Sequence, residues 1–245
     1  DYGGGYIYAI YNSTITLSNT QITGNRSGDD YGGAYFYAYD HSTIRVPELY
    51  VYDNVAGGDY GGVYLDASDG NDTVIATEAR IISNTAGGNG GGGYVSVYDG
   101  SIVDLTGSQF MSNTAGTNGG GLYVSNIYGV SSMLLGHTEF LTNTAGSNGG
   151  GVYFSTGPTY GSHLDLSYAR FISNTAQTGD GGGAYMSSVY YNVPVTVSVQ
   201  ADHMEFVRNR SGDQGGGFYL YDAHDGPGQL VFDDGVYQNN IAGSD

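Results

Sequence analysis

Cysteine is absent from this chain of 245 residues, which excludes disulfides and thiolate-bound metals and leaves the redox compartment open. Lysine is absent as well. The six basic residues, all arginine, stand against 24 acidic ones, for a formal net charge of −18. That balance excludes nucleic acid and anionic membrane as electrostatic partners and disfavours acidic polysaccharide. No apolar run is long enough to span a bilayer, so membrane insertion of this segment is not expected. Proline is scarce, at 4 residues, whereas glycine supplies 44 and tyrosine 25. A chain so aromatic is not a disordered Gly-rich linker, and its glycines must serve an ordered backbone. It opens on Asp1 without an initiator Met or a signal peptide, as a processed mature protein or a piece of a longer one would.

What is present is a repeat. Tyr6, Tyr35, Tyr64, Tyr94, Tyr123, Tyr153, Tyr185 and Tyr219 each close a Gly-rich segment, 29 or 30 residues apart for most of the length and 32 and 34 near the end. A period in this range means a stacked solenoid. The residues before and after each Tyr are mostly apolar (Leu122 and Val124, Val152 and Phe154), so the Tyr between them points outward from a strand. A second alternating strand follows, as in Val103-Asp104-Leu105 and Leu164-Asp165-Leu166. Five residues beyond its last inward position comes a further apolar residue: Ile22, Val51, Ile81, Phe110, Phe140, Phe171, Phe206 or Tyr237, with a two-residue shift needed in the seventh unit. No segment has helical periodicity. Three short apolar faces per unit predict a single all-β domain, 1–245, folded as a parallel β-helix of about eight coils. The crossover rule makes it right-handed. At about 4.8 Å per coil the rod is roughly 38 Å long.

Three residues after the third apolar position stands Asn25, Asn54, Asn84, Asn113, Asn143, Asn174, Asn209 or Asn240. Stacked in a column, these amides can pass hydrogen bonds from coil to coil, which gives them a structural role without chemistry. The combined motif, Phe-x-x-Asn-Thr-Ala-Gly followed by Gly-Gly-x-Tyr, is complete at Phe110 to Tyr123 and at Phe140 to Tyr153. It resembles the Phe-x-x-Asn and Gly-Gly-Ala-aliphatic repeats of the chlamydial polymorphic outer-membrane proteins, a family of autotransporter adhesins. It is also similar to the Gly-Gly-Gly-Ile-Tyr repeats of large secreted right-handed parallel β-helix proteins of environmental bacteria. The resemblance covers the whole chain, weakens in the first three units, and implies a fold and an extracellular or cell-surface setting rather than an activity.

The outward Tyr column, with Tyr8, Tyr37 and Tyr221 beside it, is a candidate surface for glycans or partner proteins, or a stack that serves stability. Five residues before each ladder Tyr lies Asp1, Asp30, Asp59, Asn89, Asn118, Asn148, Asp180 or Gln214. Stacked carboxylates repel, and Ca²⁺ is the cofactor that would relieve them; Asp66, Asp69, Asn71 and Asp72 form a second oxygen-rich group expected in a loop. Neither matches a known calcium loop, and solvated turn acids are the simpler reading. Asn12 and Asn71 fit the glycosylation sequon in gap loops, whereas Asn25 and Asn209 fit it inside the Asn column, where a glycan has no room. Catalysis is not expected: the arginines are scattered, the five histidines share no metal-ligand spacing, and no nucleophile elbow or phosphate loop is present. Residues 156–163 and 222–229 are the longest excursions and the places where a polysaccharide-active site would have to be built.

The two ends are in phase. Asp245 placed before Asp1-Tyr2-Gly3-Gly4-Gly5-Tyr6 reproduces the internal run Asp29 to Tyr35 with Gly for Ala, so Asp1, Tyr2, Gly3, Gly4, Tyr6, Asn240, Ile241, Gly243 and Asp245 are expected to form a polymer interface between copies. The alternative is a segment cut from a longer solenoid. The expected role is a structural subunit of an extracellular filament, with an adhesin or stalk segment as the second reading.

Overall fold

Residues 2–155, 161–188, 198–222 and 229–243 are described by the computed structural model of the chain. No helix occurs among them, and the strands, all parallel, wind as a β-solenoid. Counting each coil from its Asx or Gln position (Asp30, Asp59, Asn89 and so on), coil 4 carries the strands Gly93–Val97, Ile102–Asp104, Gln109–Met111 and Thr114–Ala115. Equivalent strands of successive coils pair in strict order, giving three sheets of eight strands and a fourth sheet of seven. The fourth is a finding beyond the three expected faces. Its strands are two residues long, as at Thr144–Ala145, too short to show alternation in the sequence.

Register is like on like. Tyr6 pairs with Tyr35, Tyr35 with Tyr64, and so on through Tyr185 with Tyr219. The strand Ser198–Asp202 buries Val199 and Ala201, and Ala201 lies five residues before Phe206. The seventh unit therefore needs no two-residue shift, contrary to the sequence expectation.

Val95, Val97, Val103, Leu105 and Phe110 of coil 4 are all 0% exposed, and the columns of Val95, Val103, Leu105 and Phe110 fill the interior of coils 2 to 7. Phe110, Phe140, Phe171 and Phe206 stack with ring centroids 5.0, 4.9 and 4.6 Å apart and planes within 12°. Burying each such ring is worth roughly 2–3 kcal/mol, and the stacking adds about 1 kcal/mol. In the outermost coils Ile7, Ile15, Leu17, Phe218 and Leu220 are only partly buried against this core.

The turn before the Tyr strand explains the glycines. A Cβ on Gly121 would lie 2.6 Å from the carbonyl oxygen of Gly151, so only glycine lets the two backbones approach this closely. The left-handed position two residues earlier is Gly119 (φ +68) in coil 5 but Tyr31 (φ 61) and Tyr60 (φ 67) in coils 2 and 3.

Beside that turn runs the Asn column. From Asn25 to Asn209 each backbone N–H donates to the Oδ1 of the Asn in the next coil (2.9–3.0 Å), and each Nδ2 donates to the same oxygen (2.9–3.1 Å). From Asn54 to Asn240 the second Nδ2 hydrogen goes back to a carbonyl of the preceding coil, as from Asn113 to Ile81 at 2.8 Å. Six of these asparagines, Asn54 to Asn209, are 0% exposed, so no water can replace a lost partner.

Asn113→Ala strands the Asn84 N–H and one Asn84 Nδ2 hydrogen and removes a donor from the Ile81 carbonyl, while the Asn143 oxygen keeps only the backbone N–H of residue 113. We expect a loss of about 3–5 kcal/mol in denaturant unfolding. Thr114→Ala, on the exposed side of the same turn, should stay within about 0.5 kcal/mol of the parent.

Candidate functional site

The outward Tyr column is built by the first sheet, whose alternation turns each ladder Tyr away from the core. Centroids of successive ladder rings are 5.2, 4.5, 4.7, 5.0, 5.1, 4.9 and 5.3 Å apart from Tyr6 to Tyr219. Tyr2, Tyr31 and Tyr60 add a second row in the first coils, with Tyr2 4.8 Å from Tyr31 and Tyr60 4.4 Å from Tyr94. Tyr8 and Tyr37 lie flat on one another at 5.0 Å and 5°. Most ring faces are thus taken by other rings. Tyr6 is 46% exposed, but from Tyr35 onward the ladder rings are half-buried. Burial raises the phenol pKa of Tyr94 and Tyr153 to about 12 and pushes Tyr35, Tyr60 and Tyr64 upward as well.

Beneath this cluster sits Asp66. The sequence placed it in a loop with Asp69 and Asp72; instead it lies in the strand Val63–Ala67, on the outer face in the column of Tyr37, beside the column of Tyr35 and Tyr64. It is 7% exposed, its Oδ2 accepts a 2.8 Å hydrogen bond from the Tyr35 hydroxyl, and its Oδ1 is buried with no hydrogen-bond partner. Burial raises its pKa, opposed by the hydroxyls of Tyr35, Ser68 and Tyr64. Asp72 does lie in the turn, just before the strand Thr73–Ile75, but it is not a solvated acid: it is 0% exposed and takes the place that Ser42 and Ser101 take in neighbouring coils. The Ser42 N–H donates to Asp72 Oδ1 (2.8 Å) and the Asp72 N–H to Ser101 Oγ (3.0 Å), a buried ladder of mixed Ser and Asp. Burial raises the Asp72 pKa too, against the two N–H donors that favour its charged form. Only Asp69 and Asn71 are exposed there, and Asn71 and Asn12 both hold left-handed turns (φ 62 and 58).

The column of Asp30, Asp59, Asn89, Asn118, Asn148, Asp180 and Gln214 is a further ladder. Each Oδ1 from Asp30 to Asp180 accepts the N–H of the next coil, at 2.6–3.3 Å. Its direction is opposite to that of the Asn column, where the N–H of one coil donates to the side chain of the next. One oxygen of each of Asp30 and Asp59 is therefore engaged by backbone, and among the described residues no three or more His, Asp or Glu side chains are grouped to hold a metal ion. The sequence signal for the ladder was the unbroken Asx spacing, which a repulsion argument about carboxylates alone does not explain.

Of the expected polymer interface, Asp1 and Asp245 lie outside the described residues, as do 156–160 and 223–228 of the two long excursions. Tyr2 packs on Tyr6 at 4.9 Å, while Gly3 and Gly4 donate backbone hydrogen bonds to the second coil. At the other end the N–H of Ile241 donates to Asn209, and Ile241 bridges to Arg210. A Cβ on Gly243 would meet the Gly212 oxygen at 1.8 Å. Ile241 is 60% exposed and Tyr237 55%. The Asn25 Oδ1 accepts nothing among the described residues, and the Asn240 N–H and one Nδ2 hydrogen donate to nothing there.

Comparison with protein-family profiles, curated proteins and solved structures gave no match.

The buried carboxyl of Asp66 sets a pH dependence with a definite sign. Its folded pKa lies above the unfolded value of about 3.9, so its contribution is complete in acid and is lost as the pH rises through the folded value. Asp66→Asn should raise the melting temperature at pH 7 and leave it nearly unchanged at pH 3, read from paired melting curves.

Proposed function

We propose that this chain is a structural rod of an extracellular or cell-surface fibre, extended by seating the last coil of one copy against the first coil of the next. The observation that carries the reading is the mismatch between the two ends of the Asn column. Coil 8 presents the Asn240 N–H and an Nδ2 hydrogen as unused donors, and coil 1 presents the unused Oδ1 of Asn25. Brought together in the repeat register, they make the contacts that Asn209 makes with Asn240 at 2.9 and 3.0 Å. The free Nδ2 hydrogen of Asn25 then reaches the carbonyl of Tyr237, as Asn240 reaches Phe206 at 2.7 Å. The same docking covers Ile7, Ile15 and Leu17 on one side and Phe218, Leu220 and Tyr237 on the other. Ends that complement one another but not themselves give an open, head-to-tail polymer. The resemblance of the repeat to secreted β-helix proteins and adhesins supports the extracellular setting.

With a charge of −18 per copy, association is opposed at long range and should strengthen as salt screens it. Electron microscopy across protein and salt concentration should show rods of one width whose length grows with both, in steps of roughly 38 Å. Ile15→Lys with Leu17→Lys, which places two charges on the open face of coil 1, should hold the rods at single-copy length while circular dichroism remains that of the parent. Short rods of one length at every concentration, with or without the two lysines, would overturn the proposal.

A further inference from the structure

On the third sheet the residue before each buried apolar position points outward, forming the column Gln21, Tyr50, Arg80, Gln109, Glu139, Arg170 and Glu205. Its upper half is closed on itself. Gln109 Nε2 donates to Glu139 Oε2 (2.9 Å), and Arg170 bridges Glu139 and Glu205 at 2.5 and 2.9 Å. The adjoining turn column is closed in the same coils, where His137, Tyr168 and His203 stack at 4.8 and 4.9 Å.

The lower half is different. Glu48 and Glu78 of the turn column and Gln21 and Arg80 of the strand column make no side-chain hydrogen bond or ion pair among the described residues. Between the two columns runs an open groove of about 590 Å³, lined by these four side chains together with Tyr50 and Gln109. Gly107 lies at the turn position next above Glu78, so no side chain there fills the groove. Tyr50 lines the groove, its ring stacked against that of Tyr52, centroids 6.0 Å apart and planes within 14°. The volume falls within the range of ligand sites, about 300–1,000 Å³, and the open form suits a chain lying along it better than an enclosed small molecule.

We infer that this groove is a binding site for an uncharged oligosaccharide. Carboxylates, carboxamides and a guanidinium with unused hydrogen-bonding capacity are the groups that engage paired sugar hydroxyls, and the Tyr50 ring at the groove wall is the aromatic group that packs against the apolar face of a sugar ring. Two carboxylates to one guanidinium, on a chain of charge −18, repel an acidic sugar. The same field attracts a cationic peptide, which is therefore the competing occupant that the titration must exclude. The site lies on the third sheet rather than on the Tyr ladder of the first, and it does not depend on the end-to-end contact.

Calorimetric titration of the full chain should use neutral tetra- to hexasaccharides of the β-glucan, mannan, xylan and chitin series, with oligogalacturonate and oligolysine as the charged arms. At least one neutral series should bind saturably, the oligogalacturonate should not, and Tyr50→Ala and Arg80→Ala should each weaken binding by about tenfold or more, the loss of one aromatic or arginine anchor. Glu78→Gln, which keeps shape and hydrogen bonding, should retain binding, and Tyr153→Ala on the other sheet should leave affinity unchanged. Melting curves of each variant check the fold. Absence of saturable binding by every neutral series, binding undiminished in Tyr50→Ala and Arg80→Ala, or binding of oligolysine alone would overturn the assignment. Rod lengthening is a separate readout, so the two proposals fail independently.

Discussion

The structure depends on one constraint: each strand finds its hydrogen-bond partners only in the coils before and after it, at a spacing of about 4.8 Å. In register, a residue in one coil must be compatible with its own kind directly above and below. Apolar columns meet that requirement by stacking, which is why Phe110, Phe140, Phe171 and Phe206 can share one orientation. Polar side chains at the inward turns meet it only if each both donates and accepts, and asparagine does so in a ladder that leaves no interior amide unpaired. The outward tyrosines obey the same rule with ring faces instead of hydrogen bonds.

The ladders have directions, and this gives the rod a chemical polarity. The Asn column donates toward higher-numbered coils and the Asx column beside the Tyr turn donates toward lower-numbered ones. Opposed directions limit the net dipole along the axis. They also leave the two ends chemically unlike, so a coil of this repeat fits each end in only one sense. Asp66 is the exception to the pattern, a carboxylate set into a tyrosine face with one oxygen unpartnered. Its burial costs stability at neutral pH, and the fold carries that cost through the stacking around it.

Most of this architecture was legible in the sequence because the rules that set it are periodic. The Tyr and Asn columns could be read from spacing alone, since register forces like residues to recur at one position. What could not be read was where the chain departs from its own period. Val199 and Ala201 were hidden because both they and their neighbours alternate with polar residues, and only pairing with Leu164 settles the phase. Asp72 looked like a solvated turn acid because its neighbours Asp69 and Asn71 are exposed; its burial follows from Ser42 and Ser101 holding the same position in adjacent coils, a column with no single residue type to reveal it. The groove beside Arg80 left no local motif, because it arises where two columns fail to pair, a property of neighbours about 30 residues apart.

A rod whose interior is a repeated ladder is stable where coils have neighbours on both sides and loose where they do not. Backbone amide hydrogen exchange, resolved residue by residue, tests this most directly. The N–H groups of Asn84, Asn113, Asn143 and Asn174, which have side-chain acceptors in the next coil, should be among the slowest to exchange, while that of Asn240 should exchange quickly in dilute single copies. If the four interior asparagine amides exchanged as fast as Asn240, the ladder would not exist as described and the account of the fold would be wrong.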